Sequence, residues 1–263
     1  MAQPLLILAV VLAAFVPPII YLIWVRDQEI CRREPYSALL VVFGWGATVA
    51  VGASFIFEEI LMVILYANGS LLARGFWNFQ PNDQTLQTII LAVIIAPIVE
   101  ETMKTTGVFL ASRRIMEVED GLVYGAASGL GFAAMENVLY LIVAISQGLD
   151  AFFVTAVVRA VTSTVLHGSS SAIAGYGISR WKFFRQSKQK RSWLPYLLVA
   201  MLLHAAFNTF AILGDVISVN SDLWALIGLL LAFVLATTAF AIIRKTIRDL
   251  DRSVSCPPFY KYP

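Results

Sequence analysis

Seven stretches of about 20 or more mostly apolar residues dominate the chain, near positions 4–25, 37–57, 87–111, 121–146, 152–179, 193–214 and 222–243. A helix of about 20 residues crosses the ~30 Å hydrocarbon core of a bilayer, and inside that core backbone N–H and C=O groups must be satisfied by the segment itself. The expected fold is therefore all-α: a polytopic bundle of seven transmembrane helices, with residues 1–263 forming a single membrane-embedded domain. Composition agrees, because 59% of residues are hydrophobic and only 14% charged, against roughly 25% charged in an ordinary soluble domain. A net charge of +2 gives no case for binding nucleic acid. The bilayer is the first expected partner, and nothing in the pattern sets an oligomeric state.

Charge is distributed unevenly along the chain. With the N-terminus outside, the inner connections collect Arg26, Arg32, Arg33, Arg113, Arg114, the cluster from Arg180 to Arg191 and the basic residues of the tail, which is sixteen of the nineteen Lys and Arg. Only Arg74 falls in an outer loop, with Lys104 and Arg159 inside the membrane. The positive-inside bias predicts a C-terminus in the cytoplasm. The first 25 residues carry no charge, unlike the basic start of a cleavable signal, and read as a retained helix. Cys31 and Cys256 are far apart and lack CxxC spacing, so neither a disulfide framework nor a thiolate metal site is expected.

Within this apolar background, four spans carry groups that lipid does not tolerate. Glu100, Glu101 and Lys104 lie in the third, Glu136 and Asn137 in the fourth, His167 in the fifth, and His204 with Asn208 in the sixth. A charge at the centre of a membrane helix costs about 2.5 to 3.5 kcal/mol even on insertion scales, so such residues mark an interior site. They also fall near the midpoints of their spans, which predicts one shared site at one depth. The i,i+4 spacing of Glu100 and Lys104 predicts an ion pair, leaving Glu101, about 100° around the helix, as the free acid. Glu58 and Glu59 are expected at the outer end of the second span, or at a polar entrance to the site. Arg159 either pairs with a buried acid or reaches the interface. In the fifth span it precedes a Ser/Gly-rich run from Gly168 to Gly177, and a broken or tilted helix is expected there. Gly121, Gly125 and Gly129 give the fourth span a flat packing face.

Two chemistries fit these residues. Glutamate as general base, with histidine or asparagine stabilising an oxyanion, would hydrolyse a peptide bond without metal. Alternatively Glu136, His167 and His204 would hold Zn²⁺ with an open position for water. No HExxH motif is present, so zinc ligands must come from several helices. A serine nucleophile drawn from Thr162, Ser163, Thr164, Ser169, Ser170 or Ser171 is disfavoured, since no GxSxG elbow or Ser/Lys pairing occurs.

The ordered blocks VEETMK at 99–104, GFAAMEN at 131–137, LHGSS at 166–170 and LHAAFN at 203–208 resemble the PrsW family of bacterial intramembrane proteases. Their motif types are EExxK, FxxxEN and HxxxN with an intervening histidine. The resemblance implies a multi-pass protein of the bacterial cell membrane that cleaves membrane-anchored regulatory proteins such as an anti-sigma factor. The implied catalytic set is Glu100, Glu101, Glu136, His167, His204 and Asn208, with Lys104 and Asn137 supporting. PrsW-like proteins are distantly similar to type II CAAX-processing and bacteriocin-immunity proteases, but Lys104 sits one residue earlier than their basic position and Glu136 replaces their FxxxH histidine. Those departures argue against prenyl-peptide processing and leave zinc and metal-independent mechanisms both open. The rival readings are a proton-coupled transporter, which would show inverted repeats or a continuous polar pathway, and a non-catalytic membrane scaffold of the same fold.

Overall fold

The computed structural model describes residues 2–67, 84–184, 192–217 and 220–253, and among them all regular structure is helical. Seven helices are long and apolar enough to cross a membrane: α1 (Pro4–Arg26), α2 (Tyr36–Leu65), α3 (Gln84–Leu110), α4 (Asp120–Gln147), α5 (Leu149–Phe184), α6 (Leu194–Ala211) and α7 (Ser221–Ser253). Large side chains such as Leu5, Ile7, Phe153, Val157 and Leu226 point outward. That arrangement suits a protein whose solvent is lipid.

α4 is the central helix and packs on α1, α2, α3 and α5. Its run from Asp120 to Ala134 is buried throughout, because glycine, alanine and serine let neighbouring backbones close in. The glycine face meets α5 as the spacing predicts. A Cβ on Gly125 would strike the backbone of Ser171, and one on Gly129 the carbonyl of His167. The packing face is thus also the surface that fixes His167. Gly46 and Gly131 allow the same closeness between α2 and α4.

Three departures from regular α-helix surround the site. α2 and α3 each contain a π-helical turn, at Gly46–Ala50 and Ile90–Ile95, a local overwidening often found at functional sites. α5 is broken at Thr162 (φ −118°, ψ −81°) into Leu149–Val161 and Ser163–Phe184. The expected break is therefore real, but it falls ahead of the Ser/Gly-rich run rather than in it, directly after Arg159. A single residue, Gly148 at φ 126°, turns α4 into α5, a left-handed conformation that favours glycine.

One expectation is corrected here. α2 continues to Leu65, so Glu58 and Glu59 lie within a helix and do not mark its end; the alternative, a polar position beside the site, agrees with Glu58, which faces the interior cavity described below. At the face where α1, α3, α5 and α7 end, the Asp251 carboxylate accepts from the backbone N–H of Ile30 (3.0 Å) and Cys31 (3.2 Å), tying α7 to the α1–α2 loop. Cys31 is disulfide-bonded, contrary to the expectation from cysteine spacing. Cys256, Arg74 and the basic stretch 185–191 lie outside the described residues.

Candidate active site

α3 supplies three of the site's residues from one buried stretch. Glu101 and Lys104 are fully buried and Glu100 is 7% exposed. Lys104 Nζ lies 2.7 Å from Glu101 Oε1 and 3.1 Å from Glu100 Oε2, so both acids flank one cation, and the closer partner is the i,i+3 acid. The expected Glu100–Lys104 pair forms, but Glu101 is not the free acid that spacing suggested, for a lysine side chain is long enough to reach both neighbours. Ser128 of α4 donates to the Lys104 carbonyl (2.7 Å), and the Phe132 ring lies 4.3 Å from Nζ, a cation–π contact.

Glu101 is saturated. Its Oε1 accepts from Lys104 (2.7 Å), Ser170 Oγ (2.9 Å) and His204 Nδ1 (3.0 Å), and its Oε2 from Ser171 Oγ (3.1 Å). The α5 serines are therefore hydrogen-bond donors to this acid. Glu100 differs: its buried Oε2 has the Lys104 ammonium 3.1 Å away as ion-pair partner and no further hydrogen-bond donor. Of the pair, Glu100 is the carboxylate left able to act on something else.

The histidines follow from their partners. A lysine ammonium only donates, so His167 Nδ1, 2.8 Å from Lys104 Nζ, accepts, and His167 Nε2 carries the proton that it donates to Glu136 Oε2 at 2.8 Å. His204 Nδ1 donates to Glu101, which turns Nε2 toward Glu100, 3.9 Å from its Oε2. The two rings meet edge to face with centroids 4.9 Å apart.

On the far side, Arg159 ties α4 to the break in α5. It donates to Glu136 Oε2 (2.6 Å), Asn137 Oδ1 (2.7 Å) and Ser163 Oγ (3.1 Å), and its guanidinium stacks 3.8 Å from the Tyr140 ring centroid. Of its two expected behaviours, pairing with a buried acid holds. Asn137 also donates to Thr164 Oγ1 (3.0 Å), which makes it a brace between helices. Asn208 donates to the Ala92 carbonyl (2.8 Å), inside the π-helical turn of α3.

Glu100, Glu136, His167, His204 and Asn208 all line one cavity of about 500 Å³ between α2, α3, α4, α5 and α6, together with Glu58 and Asp215. Every site residue expected from the sequence thus lies in this cavity or in its immediate support. Glu58 and Asp215 add two acids. Glu58 carries a visible signal, a carboxylate within an apolar span; Asp215 sits in a short helix after α6 and carries none.

One ligand atom each from Glu100, His167 and His204 falls within 4.8 Å of the other two. Two imidazoles and a carboxylate with room for water match the donor set of a catalytic zinc site. Glu100 Oε2 fits such an ion once the Lys104 ammonium, 3.1 Å from it, moves aside, and His204 presents Nε2 on a ring held by Glu101, in the manner of a carboxylate behind a metal-bound histidine. His167 fits when Lys104, 2.8 Å from its Nδ1, turns away toward Glu101 alone. Glu136 is outside this group of three, held by Arg159 and His167.

Residues 34–243 match the sequence model of the family described as PrsW family intramembrane metalloprotease. Among curated proteins, Protease PrsW of Clostridioides difficile is 27% identical over 201 residues, covering 75% of this chain and 76% of that protein. Protease PrsW of Bacillus subtilis is 27% identical over 205 residues, covering 76% and 81%. Protease PrsW of Halalkalibacterium halodurans is 29% identical over 170 residues, covering 63% and 69%. No solved structure matches the chain.

Proposed function

Since the chain belongs to the PrsW family of intramembrane proteases, we propose that its substrate is a membrane-anchored regulatory protein, of the anti-sigma factor class, cleaved in the cavity that holds Glu100, His167 and His204. The observation that carries this reading is the convergence of those three ligand atoms within 4.8 Å at a cavity wall inside the bundle. Hydrolysis needs water where lipid excludes it, and a cavity of about 500 Å³ with acids and histidines in its wall supplies that space.

Glu100, His167 and His204 would hold a zinc-type ion, which supplies Lewis-acid polarisation of the scissile carbonyl and a more acidic water. The remaining roles belong to the chain. With Oε2 turned to the imidazoles, the other oxygen of Glu100 takes a proton as the water oxygen bonds to the carbonyl carbon. That proton then passes to the amide nitrogen as the C–N bond breaks, giving an acid and an amine. Glu101 fixes the tautomer of His204, and Lys104 balances the charge of the two acids. Glu136, set by Arg159, orients His167, while Asn208 holds the π-helical turn of α3 against α6 at the cavity wall. The metal-free alternative uses the same residues with Glu100 as sole activator.

Incubating proteoliposomes of the purified protein with single-span anti-sigma factors, with and without chelator, tests both points. Cleavage lost to chelator and restored by Zn²⁺ supports the metal reading. Chelator-resistant cleavage supports the glutamate mechanism, and no cleavage of any such substrate counts against the substrate class.

The basic residues Arg26, Arg32, Arg33, Arg113 and Arg114 gather at the face where odd-numbered helices end, which supports an N-terminus outside and a C-terminus in the cytoplasm. The disulfide at Cys31 lies on this same face, where a reducing cytosol opposes it. A cysteine placed at Lys188 decides the matter: labelling by an impermeant reagent in intact cells overturns this orientation.

A further inference from the structure

A second acidic group lies away from the cavity, at the face where α1, α3, α5 and α7 end. Glu117 and Glu119 in the α3–α4 connection and Asp251 in the last turn of α7 each offer one oxygen within 4.8 Å of the others. Glu119 is 2% exposed and Asp251 fully buried. Carboxylates so buried persist when paired, hydrogen-bonded, protonated or bound to a metal. Here the usual partners are engaged elsewhere. Lys182 Nζ donates to the carbonyls of Ser112 (2.7 Å) and Ile115 (2.5 Å). Arg32 pairs with Glu34 at 3.8 Å, and the backbone N–H groups of Met116 and Glu117 donate to Asp120. Glu119 Oε1 and Glu117 Oε2, both buried, are left without a hydrogen-bond donor.

We propose that Glu117, Glu119 and Asp251 bind a divalent, oxygen-preferring cation of the Mg²⁺ or Ca²⁺ class. The donor set contains carboxylates alone, the chemistry of hard cations and not the nitrogen and sulfur chemistry of structural zinc. Asp251 is already oriented by the N–H groups of Ile30 and Cys31, so an ion here joins the α1–α2 loop, the α3–α4 connection and the end of α7. The middle of these three segments links the helices carrying Glu100 and Glu136. The ion is therefore a clamp on the spacing of the catalytic helices, separate from the catalytic group.

The test uses the full-length protein in nanodiscs, stripped with EDTA and dialysed, then melted with and without about 1 mM MgCl₂ or CaCl₂, the range of weaker all-oxygen sites. The expected result is a rise in melting temperature of at least about 2 °C with one of the two ions. Glu119→Gln should abolish the rise while leaving the ion-free melting temperature equal or higher, since it removes like-charge repulsion. Glu100→Gln should keep the rise, which separates this site from the cavity. If Glu119→Gln does not insert, Glu117→Gln carries the same expectation. No shift with either ion, as when the carboxyl groups share protons instead, overturns the proposal, and so does an undiminished shift in the Glu117 or Glu119 variant.

Discussion

His204 Nδ1 lies 3.0 Å from Glu101 Oε1, and this contact turns Nε2 of His204 toward Glu100. In the proposed mechanism Glu101 therefore acts through the imidazole it orients, while Glu100 faces the reaction. Glu101→Gln is expected to lower cleavage about 10-fold to 100-fold, the usual loss when such an orienting partner is removed. Protein yield in membranes checks that insertion is unchanged, and the ratio of initial rates at matched protein gives the effect.

Lys104 is fully buried against Glu100, Glu101 and His167. Lys104→Met leaves buried carboxylates without their cation, which is expected to destabilise the fold by about 3 to 5 kcal/mol as well as remove activity. Adding Glu101→Gln should restore part of the stability, because the two losses are coupled. Denaturant unfolding in micelles measures both.

Gly129 keeps α4 close to the backbone of His167. Gly129→Ala is expected to cost about 1 to 3 kcal/mol of stability through overpacking and to displace the imidazole. Gly52, with nothing within 4 Å of a Cβ, is the matched control, and Gly52→Ala should change neither melting temperature nor cleavage.

Arg159 satisfies three acceptors on α4 and α5 at once. Arg159→Lys preserves charge but not the planar fork, so it is expected to rescue less than half of the activity lost in Arg159→Gln. Full rescue by lysine in the cleavage assay would show that charge alone matters there.

How much of this was legible in the sequence depends on range. The seven spans, the single polar level and the glycine face of α4 are set by local composition and period, and the structure contains all three. Which acid Lys104 prefers depends on a flexible side chain, and helical phase alone favoured Glu100 where geometry favours Glu101. Glu58 was visible as a carboxylate at an apolar span, but a span of minimum length left open whether it ended the helix or faced the site. Asp251 meets Ile30 across 221 positions of sequence, and neither π-helical turn has a pattern of its own; such features arise from packing.

Stability should also depend on pH through Glu34, a buried loop residue that accepts a hydrogen bond from Tyr124. Burial first, then the nearby Asp120 charge, raises its pKa from an ordinary 4.5 to about 7. A carboxyl whose folded pKa is raised favours folding while protonated in the fold. That contribution is complete below the unfolded value and is lost as pH rises through about 7. The melting temperature of chelated protein should fall between about pH 5 and about pH 8, and Glu34→Gln should flatten the fall.

The central claim is that Glu100 is the acid in contact with the reacting water. The most direct test is the cleavage rate of Glu100→Gln in proteoliposomes, at matched insertion, against one membrane-anchored substrate cleaved by the parent protein. A fall of about 100-fold to 10,000-fold is predicted, the range for loss of a positioned general base, with melting temperature unchanged or raised. Cleavage by Glu100→Gln within a few-fold of the parent would contradict the account.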